Sequence, residues 1–417
     1  MTKQPITRAD KVKRVTYDMR GPIAEAAAKL EAEGQKILKL NIGNVSPFGI
    51  MPPPNMVGFM VKNLPAAAAY SEARGLKSAR EAIAAWHVKH GVNGVTANDV
   101  YLGNGDSELI DIALKSLINP GDEVLVPAPD YPVWNGCTIM AGGNPIHYLC
   151  DEANEWQPSL ADIEAKINER TKAIVIINPN NPTGALYGKE VLLQILELCR
   201  KHNLVVFSDE IYSEVVYDEA KHISTGSLAD DLPIVTFNGI SKSWRACGYR
   251  GGWMTFSGDK EVIKDWIAAV TLLTGMRLCS NVMAQFAMQS AVTDEANSPA
   301  ALIAPGGEFC LRRDAAYAAF NAIDGINVVK AKAAFYMFPK VDIARFGIKS
   351  DKDFVYSLLL AKKVLITHGT SFAYPIHDHF RLVFLPDVET IKGVASAMNE
   401  FLRELESGKA KLLSVPN

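Results

Sequence analysis

A lysine and an arginine lie close together in NGISKSWRACGYRGGW (238–253), where Lys242 and Arg250 have Gly248, Gly251 and Gly252 around them. Glycines let a backbone approach a ligand closely. A guanidinium can fork onto a phosphate, and a lysine in a desolvated pocket can lose its proton and become a nucleophile. Three other runs carry complementary chemistry. In GNGDSELIDIALKSL (103–117) a Gly-rich turn at Gly105 feeds a helix expected to begin near Asp106. The free N–H groups and dipole of such a start suit an anion, and Ser107 could add its hydroxyl. NPNNPTG (178–184) is a structured turn whose amides both donate and accept. SDEIY (208–212) puts Asp209 at the end of a very apolar run, where a buried carboxylate calls for a cationic partner. Singly, each has an ordinary alternative: a plain turn, a loop held by Asn side chains, a helix cap, a surface pair of bases. Taken together they point to one site.

The elements that must position them can be read from apolar patterning. Residues 123–127, 173–177, 204–208 and 233–237 are short β-branched-rich runs without alternation, which fits strands buried on both faces. Each is followed by polar or Gly/Pro-rich text, and ligands of open parallel sheets collect beyond the carboxyl ends of the strands. Helical runs alternate with them, so an α/β fold with a mostly parallel sheet is expected. Residues 22–33 read as a helix with Pro at its first turn and Gly34 beyond its end. SPFGIMPPPN (46–55) reads as a loop. After about residue 310 the pattern changes to that of a smaller α+β unit, packed with the N-terminal segment.

Composition excludes several classes. The chain has 417 residues, 48% of them hydrophobic and 21% charged, with 43 Lys and Arg against 46 Asp and Glu. That is ordinary globular usage, without the basic excess of a nucleic-acid binder or an apolar run long enough for a membrane helix. The six cysteines have no metal-like spacing, so neither a metal site nor a disulfide framework is expected. GNGDSE also lacks the full dinucleotide fingerprint. The opening, MTKQPITRADKVKRVTYDMRG, is basic with no apolar core, so it is not a secretory signal, and a cytoplasmic location is expected.

The chain resembles the class I/II pyridoxal-phosphate-dependent aminotransferases of fold type I over nearly its whole length. The resemblance rests on LNIGN (40–44), YSEARGLKSARE (70–81), GNGDSE, PDYP, NPNNPTG, SDEIY, NGISK with YRGGW, and HFRLVF, in that order. Within the family, YDMRGP and VPAPDYPVW look most like the bacterial alanine (glutamate–pyruvate) aminotransferases.

The resemblance implies a large cofactor domain over 55–305 and a smaller domain split between 1–54, which includes an N-terminal arm, and 306–417. It implies pyridoxal 5'-phosphate, joined to Lys242 by an imine link, with Lys242 then moving the substrate α-proton. Asp209 would pair with the pyridine nitrogen, Asn181 and Tyr212 would bond the ring's 3′ oxygen, and Tyr131 would stack on its face. Gly105, Asp106, Ser107 and Arg250 would hold the phosphate, with Ser241 as a further candidate. Asp106 departs from the pattern, since relatives carry an uncharged residue there. Only its backbone N–H is expected to serve, with the carboxylate turned away. Tyr70 would reach the phosphate of the other subunit, implying a homodimer with shared active sites. Arg381 would fork onto the substrate α-carboxylate with Asn181 and the Gly43 backbone nearby, and Tyr17 and Arg20 would form a side-chain-sensing lid. The implied reaction moves the amine of L-alanine to 2-oxoglutarate by a ping-pong mechanism. Aspartate, aromatic or branched-chain substrates, or C–S lyase chemistry, are the alternatives.

Overall fold

The computed structural model describes residues 6–17 and 21–416. Its centre is an eight-stranded sheet whose strands, in chain order, are β1 (Val100–Gly103), β2 (Glu123–Ala128), β3 (Asn144–Asp151), β4 (Gln157–Pro158), β5 (Thr171–Ile177), β6 (Val205–Asp209), β7 (Ile234–Gly239) and β8 (Gly252–Ser257). They lie in the order β1-β8-β7-β6-β5-β2-β3-β4. The five strands β7, β6, β5, β2 and β3 pair in parallel, while β8 runs antiparallel to both β1 and β7, and β4 antiparallel to β3. The fold is therefore the expected α/β architecture with a large, mostly parallel sheet.

The apolar runs are continuous because both faces of the sheet are covered. Along β5, Ala173, Val175 and Ile177 join Val124, Val126, Phe207 and Phe237 on one side. Ile174 and Ile176 join Leu125, Val206 and Ile234 on the other. Four strands escape the sequence reading, among them the two-residue β4. β1 and β8 are short and bounded by glycine, and β3 is half-exposed along much of its length, so none presents a bare β-branched run.

A row of three glycines closes one end of the sheet, with Gly252 paired to both Gly103 and Gly239. A side chain at Gly252 would strike Asp106 and the backbone of Gly105. Its absence lets the helix Asp106–Leu117 start directly over the strand ends, with Gly105 turning the chain at φ +81°. The carboxyl ends of β1, β2, β5, β6 and β7 and the amino end of β8 thus open onto one region.

The second cluster of packing joins distant parts of the chain. Ile23, Ala27, Leu40 and Ile50 share a core with Phe309, Phe320, Phe335, Phe354, Phe380 and Phe401. Residues Leu38–Lys39 pair in parallel with Val364–Leu365, and Phe380–Val383 lies between Tyr336–Met337 and Thr367–His368 in an antiparallel three-stranded sheet. The first helical expectation is matched by Pro22–Ala32. The expected loop over 46–55 is shorter than read: Ser46–Phe48 makes a 3-10 turn and a helix begins at Pro54, where a missing N–H costs nothing.

Leu40 is fully buried and joins the first fifty residues to this distant core. Leu40→Ala is expected to lower unfolding stability by about 2–5 kcal/mol in chemical denaturation; a loss below about 1 kcal/mol would show that this junction is loosely packed.

Candidate active site

Beyond the strand ends lies a cavity of about 220 Å³ lined by Gly43, Asp106, Tyr131, Asn181, Asp209 and Lys242, among others. Its walls also include Tyr17, Ser107, Tyr212, Ser241, Arg250 and Arg381. Gly105 stands directly behind this wall, where an added side chain would strike the Arg250 guanidinium. One expected residue is elsewhere on its own chain, and another is not described. Tyr70 is 79% exposed and does not line the cavity of its own chain. Arg20 lies outside the described residues.

Asp209 ends β6 and is 3% exposed. Among the described side chains none supplies a cationic partner, and neutral donors hold the carboxyl instead. Its Oδ2 accepts the indole N–H of Trp134 at 3.0 Å, and Oδ1 accepts the Ile211 backbone N–H at 3.4 Å. No helix follows for it to cap, because the chain enters a turn at 211–214. Burial raises its pKa, the Trp134 and Ile211 donors lower it, and the balance leaves it at about 6. Neutral hydrogen bonds thus replace an ion pair.

Lys242 Nζ donates to the Gly43 carbonyl at 2.7 Å and lies 3.9 Å from Cys247 Sγ. Burial disfavours its ammonium, but Tyr336 and Cys247 outweigh that and hold its pKa above the ordinary lysine value. The pocket therefore does not by itself free this amine of its proton. Gly43 has to be glycine here, since a side chain would collide with the Tyr336 ring.

Arg381 is 2% exposed, and its guanidinium lies against two rings: the Tyr336 and Phe372 centroids are each 4.6 Å from its Cζ. One amino group donates to Asn181 Oδ1 at 2.9 Å and the other to the Asn41 carbonyl. This fixes the plane of the fork. In the 178–184 turn the reading of a loop held by Asn side chains holds for Asn180. Asn180 Oδ1 accepts from the Thr183 backbone and hydroxyl at 3.2 and 2.7 Å and makes the turn, while Asn181 faces the cavity.

The Tyr212 and Tyr336 hydroxyls are 2.7 Å apart. Burial, followed by each other's charge, pushes the Tyr212 phenol well up, so it stays protonated. Tyr131 is held up in the same way by burial and then by Tyr17 and Tyr336, which brings the N-terminal arm to the cavity.

On the opposite wall, Arg250 sits at φ +55° and donates to the Cys247 carbonyl at 2.9 Å and to that of Asn104 at 3.5 Å. Among the described residues it forms no ion pair with a carboxylate. The Asp106 carboxyl is turned onto Gly239 and Gly252, and both of its oxygens are buried without a hydrogen-bond partner.

Comparison with known proteins agrees with this geometry. The family model for aminotransferase class I and II matches residues 35–398. The chain belongs to that family. It is 48% identical over 398 residues to the glutamate-pyruvate aminotransferase AlaA of Escherichia coli strain K12, covering 95% of this chain and 98% of the relative. It is 46% identical to the alanine aminotransferase of Mycobacterium tuberculosis, covering 96% and 93%. A solved aminotransferase from Escherichia coli superposes with a TM-score of 0.94 at 48% identity over 96% of this chain and 99% of that one. An alanine aminotransferase from Pyrococcus furiosus gives 0.90 at 36%, over 95% and 100%. The chain is an aminotransferase of fold type I.

Sequence reasoning missed Trp134, Tyr336 and Cys247 as wall or support residues. Trp134 stands three residues after Tyr131 in PDYPVW, so its helix spacing was visible but its partner was not. Tyr336 sits in an aromatic strand with no motif around it.

Removing the indole donor should leave Asp209 less able to ionise. In Trp134→Phe the Asp209 carboxyl should titrate above about 6 in cofactor-free protein, followed by carboxyl ¹³C NMR; an unchanged or lower value would mean that the indole hydrogen bond does not stabilise the carboxylate.

Proposed function

We propose that this aminotransferase binds pyridoxal 5'-phosphate in the cavity and transfers the amine of L-alanine to 2-oxoglutarate, giving pyruvate and L-glutamate. The observation that carries the reading is the near full-length identity to relatives named glutamate-pyruvate and alanine aminotransferase, together with a cavity that gathers Lys242, Asp209, Asn181, Tyr212 and Arg381.

The cavity suits the cofactor at both ends. An arginine without a carboxylate partner and a helix start can meet a phosphate. Asp209, given only neutral donors by the described residues, has lone pairs left for a protonated ring nitrogen. Such a cation would draw the carboxyl into its ionised form, lowering it from about 6. When bound, the cofactor supplies an electron sink that acidifies the substrate α-C–H.

The protein does the rest. Asn181 and Tyr212 present an amide and a protonated phenol on the wall where a ring oxygen would lie, and Tyr131 offers its ring face. Lys242 Nζ would hold the cofactor covalently, and its positive charge, which the pocket otherwise maintains, would then be removed. As a free amine, the same Nζ would take the substrate α-proton. Arg381, already oriented by Asn181 and Asn41, receives the α-carboxylate with two N–H groups. Gly43 leaves its carbonyl exposed to Lys242 and keeps the floor free of side-chain bulk. Ser107 and Ser241 add polar wall near the phosphate end. Tyr17, beside Tyr131, is placed to cover the methyl group of alanine, and Arg20 is assigned to the distal carboxylate of glutamate on the sequence resemblance alone.

The same reading assigns 55–305 to cofactor binding, joins 1–54 with 306–417 as a smaller unit, and places the enzyme in the cytoplasm. It also makes the enzyme a homodimer. Tyr70, with Leu272, Met276 and Leu278, is exposed on a single chain, as expected of a surface that a second copy would cover.

Purified enzyme should show a visible cofactor band that shifts on adding L-alanine and is absent from Lys242→Ala, with a loss of turnover of at least about a thousandfold. Among amino donors paired with 2-oxoglutarate, alanine should have the highest kcat/KM. Faster turnover of aspartate or phenylalanine would refute the substrate assignment, and full activity in Lys242→Ala would refute the mechanism.

A further inference from the structure

Asp106 is the one group in the cavity wall whose chemistry opposes the ligand expected there. It opens the helix whose first N–H groups face the phosphate end, yet it carries a carboxyl. Both oxygens are shut away from solvent and neither has a hydrogen-bond donor. The carboxyl rests on the glycine row at the sheet end, against Gly239 and Gly252, where no donor side chain can exist.

The charged groups around it are few. Asp209 faces it from the end of β6, Lys242 from the loop after β7, and Arg250 from the turn before β8. On its own helix, Glu108 is occupied by the Asn104 backbone and side chain at 2.7 and 2.9 Å and by Arg277 at 3.4 Å. Burial and then Asp209 disfavour ionisation of Asp106, and Arg250 and Lys242 favour it. Binding the cofactor would change this balance at the phosphate end, since the positive charge of its ring would be answered by Asp209. The phosphate brings negative charge and engages Arg250, and the covalent link removes the charge of Lys242.

We infer that Asp106 is a proton-linked determinant of cofactor affinity: pyridoxal phosphate binds to the form of the protein in which this buried carboxyl is neutral, and binding takes up a proton there. The inference rests on the reading that the cavity holds pyridoxal phosphate. The sign follows from linkage. A carboxyl that titrates higher in the bound state than in the free state leaves affinity full at low pH. Affinity then falls as pH rises through the interval between the two values. An uncharged side chain at 106 removes that fall while leaving the phosphate's own ionisation in place.

The test is the dissociation constant of pyridoxal 5'-phosphate, measured by its visible band on cofactor-stripped protein from pH 6 to 9. Wild type is compared with Asp106→Asn and, in case the amide disturbs folding, Asp106→Val. The ratio of wild-type to variant dissociation constant should rise by about tenfold or more across this range. Calorimetry in buffers of different ionisation enthalpy should show greater proton uptake in wild type than in either variant. A ratio independent of pH with equal proton uptake would overturn the inference while leaving the cofactor assignment intact. Failure of all three proteins to bind pyridoxal phosphate would overturn both.

Discussion

The cavity is built around a carboxylate that the fold buries and that no cation among the described residues neutralises. Asp209 stands at the end of a central strand with an indole N–H and one backbone N–H as its donors. A lone buried charge is costly, and the cost appears as a pKa raised to about 6. A cationic ring nitrogen would relieve it. The fold therefore reserves in Asp209 a binding interaction that its own side chains leave unused.

The remaining geometry keeps that arrangement intact. Parallel strands covered on both faces fix where Asp209, Asn181 and Lys242 leave the sheet, and the glycine row lets the helix start at Asp106 close over the same end. Arg381 comes from the other packing cluster, on a strand whose neighbours include Tyr336. Its plane is set by two rings and two hydrogen bonds before any substrate arrives. Preorganisation of this kind moves the cost of orienting charged groups from the reaction to folding.

The sequence made the central parallel strands and most of the cavity wall readable, because burial on both faces leaves an unbroken apolar run and each run ends in polar text. It could not reveal partners that are distant in the chain. Trp134 on Asp209, Tyr336 between Tyr212 and Arg381, and Cys247 beside Lys242 belong to no local pattern. The described side chains give Asp209 no cation, because a buried carboxylate can also be held by neutral donors and a raised pKa. Strands β1 and β8 were hidden by the same glycines that make room for the helix start.

In the proposed reaction Lys242, Asp209 and Arg381 serve an amine transfer in two separate halves. The most direct measurement mixes cofactor-loaded enzyme with L-alanine and no oxo acid and follows pyruvate and ammonia. About one pyruvate per chain should form and then stop, without ammonia, and production should resume when 2-oxoglutarate is added. Continuous pyruvate with matching ammonia, or no pyruvate from loaded enzyme, would contradict the account.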